Sequence, residues 1–139
     1  MGLRYVPQPE FDRIRALDAD PADRAAAFAD ACRLNALYMI ERAGSGHPGT
    51  TFSSLDVVVW LHLEVLGDGD RYFSSKGHDV PGLYAVLAAL GRIDFDLIHE
   101  LRKLDGLHTS IDEMLDEMFA DELDFDGDAR GRRNQNDDE

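Results

Sequence analysis

Cysteine and lysine are both scarce in this chain of 139 residues. The single cysteine, Cys32, excludes an internal disulfide and any metal site built from several cysteines. Because Cys32 lies in an alanine-rich helical pattern, we predict that it packs as a small apolar group. Lysine occurs at Lys76 and Lys103 alone, so most of the positive charge is arginine.

Long apolar runs are also lacking. The opening MGLRYVPQPE has no hydrophobic stretch of the kind found in a signal peptide. The run VVVWLHLEVL, residues 57–66, is too short for a membrane span and is interrupted by His62 and Glu64. We therefore expect a cytoplasmic protein that does not enter a membrane.

The formal net charge is −14, and the acidic residues are concentrated towards the carboxyl end. Residues 112–139 carry twelve acidic and three basic side chains. This balance argues against nucleic-acid binding, because nucleic-acid phosphates would be repelled.

The chain reads mainly as helices. Asp20 and Pro21 predict the start of a long helix that continues to about Arg42 and stops at Gly44. Ser53 or Ser54 is expected to cap a second helix, which continues to residue 66 and whose apolar run implies deep burial. GDGD at 67–70 predicts a turn, and RYFSS at 71–75 a single short strand.

Three further helices are predicted after this strand. One opens at Pro81 and stops at Gly91, one is capped by Asp94, and one spans 111–123. The sequence thus divides into an N-terminal arm (1–19), a helical segment (20–123) and a polar tail (124–139) predicted to be disordered. Within the tail, DFDGD at 124–128 is only weakly similar to a calcium loop, because alanine replaces the required glycine.

The stretch AGSGHPG contains the string G-x-G-x-x-G at Gly44, Gly46 and Gly49. A dinucleotide-binding turn with this string follows a strand, whereas a long helix precedes it here. Pro48 also removes a backbone N–H where the pyrophosphate would be held. The dinucleotide interpretation therefore fails, and a histidine between glycine and proline remains to be explained.

A second histidine follows the predicted strand in the segment SKGH. Lys76 and His78 carry or can acquire positive charge, and a helix begins directly after them. This combination suits a phosphate or diphosphate group. Considered by itself, the segment fits an exposed loop lysine and a structural histidine equally well.

Taken together, SGHPG and then SKGH followed by LYAVLAALG resemble the transketolase family of thiamine-diphosphate enzymes, over roughly residues 26–108. The resemblance implies the opening part of an α/β thiamine-diphosphate-binding domain, mostly α with a minimal β component. It also implies transfer of two-carbon ketol units between sugar phosphates, with thiamine diphosphate and Mg²⁺ as cofactors.

The resemblance assigns roles to individual histidines. His47 matches a histidine beside the substrate and the reactive carbon of the cofactor, where an imidazole can move a proton. His78 matches a histidine near the diphosphate and the substrate, so that it becomes a candidate catalytic residue with His47 and, with Lys76, a candidate cofactor-binding residue. His108 matches a third family histidine and is a further candidate cofactor-binding residue, although the motif around it is altered. If the assignment holds, His47 and His78 converge to within about 10 Å, partly exposed, with a phosphate-sized space between them.

The chain departs from the family where the metal ligands are expected. The family's later GDG motif and its asparagine are not found after His108, and GDGD at 67–70 lies before SKGH. No metal ligand is therefore assigned. The pyrimidine-binding domain is not found either, so apolar helix faces should be exposed unless a partner or self-association covers them.

Three interpretations remain open from the sequence. The chain could be a transketolase-like subunit or fragment that acts on a sugar phosphate only with a second transketolase-type subunit. It could be a degenerate, non-catalytic interaction module that keeps the family's opening segment. It could also be an independent small phosphate-binding protein.

Overall fold

The structure, a computed structural model, describes residues 2–44 and 46–101. Within these ranges lie four α-helices: α1 (Gln8–Arg15), α2 (Pro21–Ala43), α3 (Pro48–Trp60) and α4 (Val80–Ala89). A π-helical turn (Leu61–Val65) continues α3, and 3₁₀ turns span Gly77–Asp79 and Phe95–His99. The helices predicted beyond residue 101, the polar tail and the calcium-like loop lie outside the described residues.

Proline marks the start of every described α-helix. Pro21 and Pro48 are the first residues of α2 and α3, Pro81 is the second of α4, and Pro7 and Pro9 flank the first residue of α1. Proline fits this position because its fixed φ suits the helix and its missing N–H would have no helical partner there.

The long helix α2 confirms the sequence prediction at both ends. The Asp20 carboxylate accepts a hydrogen bond from the Ala22 N–H at 2.9 Å, and Gly44 ends the helix with φ of +66°. Cys32 is fully buried on the inner face, as predicted, and burial raises the pKa of its thiol.

Helix α3 begins earlier than the sequence suggested, at Pro48 rather than at Ser53 or Ser54. The hydroxyls of Ser53 and Ser54 donate to carbonyls three residues earlier, at 3.1 and 3.2 Å, so both serines lie within the helix. The expected deep burial was also wrong on one side, because Val57, Trp60 and Val65 are 61, 40 and 57% exposed.

Helix α4 is buried along its whole length and forms the centre of the core. It packs against α1, α2, α3 and both 3₁₀ turns. Its predicted stop at Gly91 is confirmed: the Gly91 and Arg92 N–H groups donate to Ala88 and Leu87, which is the hydrogen-bond pattern of a Schellman motif. The cap predicted at Asp94 is present, but the described residues after it form a 3₁₀ turn.

The predicted strand at 71–75 is not present, since no strand occurs among the described residues. Burial does alternate along this segment, with Tyr72 and Ser74 facing inwards and Phe73 outwards. A strand, however, requires a hydrogen-bonded neighbour, and no other described segment pairs with this one. The structure is therefore mostly α, as expected for the opening of the domain.

The residues of the predicted N-terminal arm pack on the helical core. The fully buried Asn35 side chain accepts a hydrogen bond from the Val6 N–H at 2.6 Å and donates to the Val6 carbonyl at 3.0 Å. Phe11 of α1 packs edge-on against Phe28, with ring centroids 5.1 Å apart. None of the described helices is long and apolar enough to cross a membrane.

Candidate functional site

His47 is placed by the turn that follows α2. Gly46 has φ of +154°, and a Cβ at this position would lie 2.8 Å from Cγ1 of Ile40. The turn therefore passes too close to α2 for any residue with a side chain. His47 comes next and occupies the N-cap position of α3, where its ring is exposed.

His78 is placed by a short closed loop. The Ser74 hydroxyl accepts a hydrogen bond from the Lys76 N–H at 3.2 Å and lies 2.8 and 2.7 Å from the two carboxylate oxygens of Asp79, to which it donates. The Asp79 N–H donates to the Lys76 carbonyl at 3.3 Å. These bonds close the loop around the 3₁₀ turn that carries His78.

Two contacts fix this loop against α3. The Thr51 hydroxyl donates to the His78 carbonyl at 3.4 Å. Beyond the loop, α4 approaches α3 closely at Gly82, where an added Cβ would lie 3.0 Å from Cγ2 of Thr51. The first turn of α3, directly after His47, is thus joined to the backbone of His78.

The two histidines meet in consequence. Their ring centroids lie 4.2 Å apart with an angle of 41° between the ring planes, and both residues are exposed. The predicted convergence is confirmed. The predicted phosphate-sized space between the rings is wrong, because rings at this distance are in contact. Any ligand shared by them would bind across the pair.

Lys76 lies on the same loop, two residues before His78, and is exposed. The structure thus brings three of the four predicted site residues, Lys76, His47 and His78, to one region. The fourth, His108, lies outside the described residues.

Sequence reasoning missed the residues that support the pair, namely Thr51, Ser74 and Asp79. The position of Asp79 directly after SKGH could have marked it as a candidate. Its burial could not be predicted from the sequence. Burial and, to a lesser extent, the charge of Asp79 raise the pKa of Tyr72, so the Asp79 side chain lies near this tyrosine.

A further histidine, His62, is buried in the π-helical turn. Its Nδ1 donates to the Val58 carbonyl at 2.8 Å, and its ring meets Tyr72 edge-on at 5.6 Å. Burial lowers the pKa of His62, the hydrogen bond to Val58 opposes this shift, and the charge of Arg92 adds to it.

Neither a metal-ligand group nor the cavity found in the described part of the chain coincides with the histidine pair. In the part of the chain that the structure describes, no three His, Cys, Asp or Glu side chains group as metal ligands. A cavity of about 120 Å³ is lined by Ile14, Arg15, Arg24, Phe28 and Leu63 and does not include the histidine pair.

Comparison with known proteins identifies the family. Residues 24–114 match the model described as transketolase, thiamine diphosphate binding domain. The chain is 29% identical to transketolases of Mus musculus and Homo sapiens over 108 residues, which cover 71% of this chain and 16% of each relative. It is 35% identical to a transketolase of Cereibacter sphaeroides over 88 residues, 55% of this chain and 13% of the relative.

The chain belongs to the family of transketolase thiamine-diphosphate-binding domains, as the two motifs indicated. It spans about a sixth of the length of the curated relatives it matches. No solved structure matches the chain.

Proposed function

We propose that this chain supplies the His47 and His78 part of a thiamine-diphosphate and sugar-phosphate site. In this proposal, a second transketolase-type chain completes the site, and two-carbon ketol transfer takes place only in the complex. The convergence of His47 and His78, 31 positions apart in sequence and 4.2 Å apart in space, is the observation that carries the proposal.

The residues present fit an anionic group. Each imidazole can donate a hydrogen bond from a ring N–H to a phosphate oxygen, and Lys76 adds a positive charge nearby. The first turn of α3, which follows His47 directly, presents backbone N–H groups and a partial positive charge. Gly49 in this turn has open space around it, so the backbone can be approached closely.

The residues present do not fit the divalent metal that accompanies the cofactor in this family. No suitable ligand group occurs within residues 2–44 and 46–101. The proposal therefore assigns metal binding to the second chain and derives no step through the metal.

Bound thiamine diphosphate would supply carbanion stabilisation. The role proposed for His78 is to hold and orient the phosphate-bearing end of a ligand. The role proposed for His47 is to donate or accept a proton at a substrate oxygen, as an exposed imidazole in contact with the ligand can do. Because both rings are open to solvent in this chain, exclusion of water would fall to the second chain.

Reconstitution tests this function. The purified chain with thiamine diphosphate and Mg²⁺ should show no ketol transfer, and activity should appear when a transketolase-type chain carrying the GDG motif and the pyrimidine domain is added. Replacing His47 or His78 by alanine should lower kcat/KM of the complex by at least about a hundredfold. His99→Gln, which changes a histidine outside the pair and keeps a polar group beside the Tyr38 hydroxyl, is the control. Turnover by the isolated chain, lost in His47→Ala, would refute the need for a partner.

The exposed apolar side chains of α3 and its π-helical turn favour a second candidate, a non-catalytic interaction module. Val57, Trp60 and Val65 form an exposed apolar face of the kind found at protein interfaces. If the complex forms and its activity is unchanged in the double variant His47→Ala/His78→Ala, the module function is correct and the catalytic one is not.

A further inference from the structure

Asp79 is a buried carboxylate that takes no part in the proposed chemistry and does not cap a helix through its side chain. It is 7% exposed and stands at the N-cap position of α4, yet its side chain caps no helical N–H. Among the described residues no cation lies within ion-pair distance of it. Burying a carboxylate with a hydroxyl as its hydrogen-bond partner is unfavourable, so stability alone does not explain this residue.

The hydrogen bonds of Asp79 join it to the loop that precedes it. The Ser74 hydroxyl donates to the Asp79 carboxylate and accepts a hydrogen bond from the Lys76 N–H. The Asp79 N–H donates to the Lys76 carbonyl. The carboxylate is thus turned inwards, towards Ser74 and Tyr72, while the neighbouring His78 ring is exposed.

This arrangement restrains the backbone from which the His78 ring projects. The loop closure holds the backbone on the carboxyl side of His78, and the Thr51 hydroxyl holds its carbonyl from α3. With both restraints in place, the ring contacts His47 at the start of the same helix. Without the closure, the turn that carries His78 would be held by the Thr51 hydroxyl and by its packing against α3 and α4.

We propose that Ser74 and Asp79 form a clasp that positions His78 against His47, which makes Asp79 a positioning residue of the site. The contribution of this clasp to ligand affinity rests on the proposed function, whereas the contact between His47 and His78 is a property of the free chain. The two can therefore be measured separately.

The geometry is tested by NMR on the full chain, through the cross-relaxation peak between the imidazole protons of His47 and His78. Asp79→Ala and Ser74→Ala should abolish this peak while the amide resonances of α2 and α4 keep their positions. Ser74→Thr, which retains the hydroxyl, should keep it. Asp70→Ala is the matched control, because Asp70 closes the preceding turn through the Gly67 N–H at 2.9 Å and does not touch the clasp.

The clasp is refuted if Asp79→Ala and Ser74→Ala retain the His47–His78 peak, or if Asp70→Ala loses it equally. Ser74→Ala removes one hydroxyl from a half-buried residue, so it decides the question even if Asp79→Ala fails to fold.

The value for a ligand is tested by calorimetry with inorganic pyrophosphate. Ser74→Ala should bind it about tenfold more weakly than the wild type, whereas Ser74→Thr should not. If the wild type does not bind pyrophosphate while the NMR peaks behave as expected, the proposed function fails and the clasp stands.

Discussion

The positions of Gly44 and Gly46 both favour glycine, but for different physical reasons. Gly44 ends α2 in the left-handed conformation, and an added Cβ would meet no atom within 4 Å. Gly46 combines a positive φ with a Cβ position that overlaps the side chain of Ile40. Only the second glycine couples the turn that carries His47 to the surface of α2.

Replacing Gly46 by alanine should therefore be costly. We expect Gly46→Ala to destabilise the protein by more than about 2 kcal/mol, because backbone strain and overpacking against Ile40 add together. Gly49→Ala is the matched control: it lies in the first turn of α3 with open space around it and should be neutral or stabilising by up to about 1 kcal/mol. Urea unfolding measures both, and equal stability of the two variants would contradict the role of Gly46.

Among the elements, the π-helical turn contains a buried histidine whose surroundings disfavour a positive charge. His62 is 8% exposed and lies between the Val58 carbonyl, the ring of Tyr72 and the positive charge of Arg92. The folded protein therefore disfavours the second proton, which would make this ring an imidazolium cation.

Because of His62, the free energy of unfolding should decrease as the pH is lowered. Because its pKa is lower in the folded state than the usual value of about 6.5, the unfolded chain binds more protons as pH drops below that value. We expect the free energy of unfolding to decrease more steeply between pH 6.5 and 5 for the wild type than for His62→Gln. The exposed His47→Gln is the control, and a His62→Gln curve parallel to the wild type would disprove the assignment.

Sequence features that depend on a few neighbouring residues, such as helix caps and glycine stops, predicted the helix ends well. Asp20, Pro21 and Gly44 bound α2 because capping and glycine stops depend on the immediate backbone alone. Ser53 and Ser54 misled because a serine hydroxyl can also bond backwards inside a helix, and Pro48 was the better signal. Residues 71–75 were mistaken for a strand because pairing depends on a distant partner that a short pattern does not specify.

The part of the site that lies in recognisable sequence motifs could be predicted. SGHPG and SKGH located His47 and His78, and the structure brings the two histidines into contact. The contact distance of the rings, and the supporting roles of Thr51 and Asp79, could not be predicted. They follow from the packing of α3 against α4 and from burial, which arise only when the whole core is assembled.

On the scale of the whole molecule, the amino-terminal residues tie the core together. Asn35 of α2 holds both polar groups of the Val6 backbone, and the Gln8 side chain donates to the Ala89 carbonyl at the end of α4 at 2.7 Å. One short segment thus contacts the two helices that form most of the core.

Loss of this tie should weaken the entire fold. We expect Asn35→Ala to lower the free energy of unfolding by about 2 kcal/mol, because it removes two hydrogen bonds and leaves the partly buried Val6 backbone groups without these partners. Glu41→Ala is the control, since Glu41 accepts a hydrogen bond from the Leu3 N–H at an exposed site of the same segment. Chemical denaturation should show a clear loss for Asn35→Ala and a small one for Glu41→Ala. Similar losses would mean that the segment does not depend on Asn35.

All five prolines of the chain stand at helix starts, which has a consequence for the backbone entropy of folding. A proline in a conformation it already prefers restricts the unfolded chain without straining the folded one, and is worth about 0.4–1 kcal/mol. Five such positions together amount to about 2–5 kcal/mol, a substantial part of the stability of a small domain. A chain with several glycines at its site thus offsets the conformational freedom of glycine in the unfolded state by limiting the freedom of the residues where its helices begin.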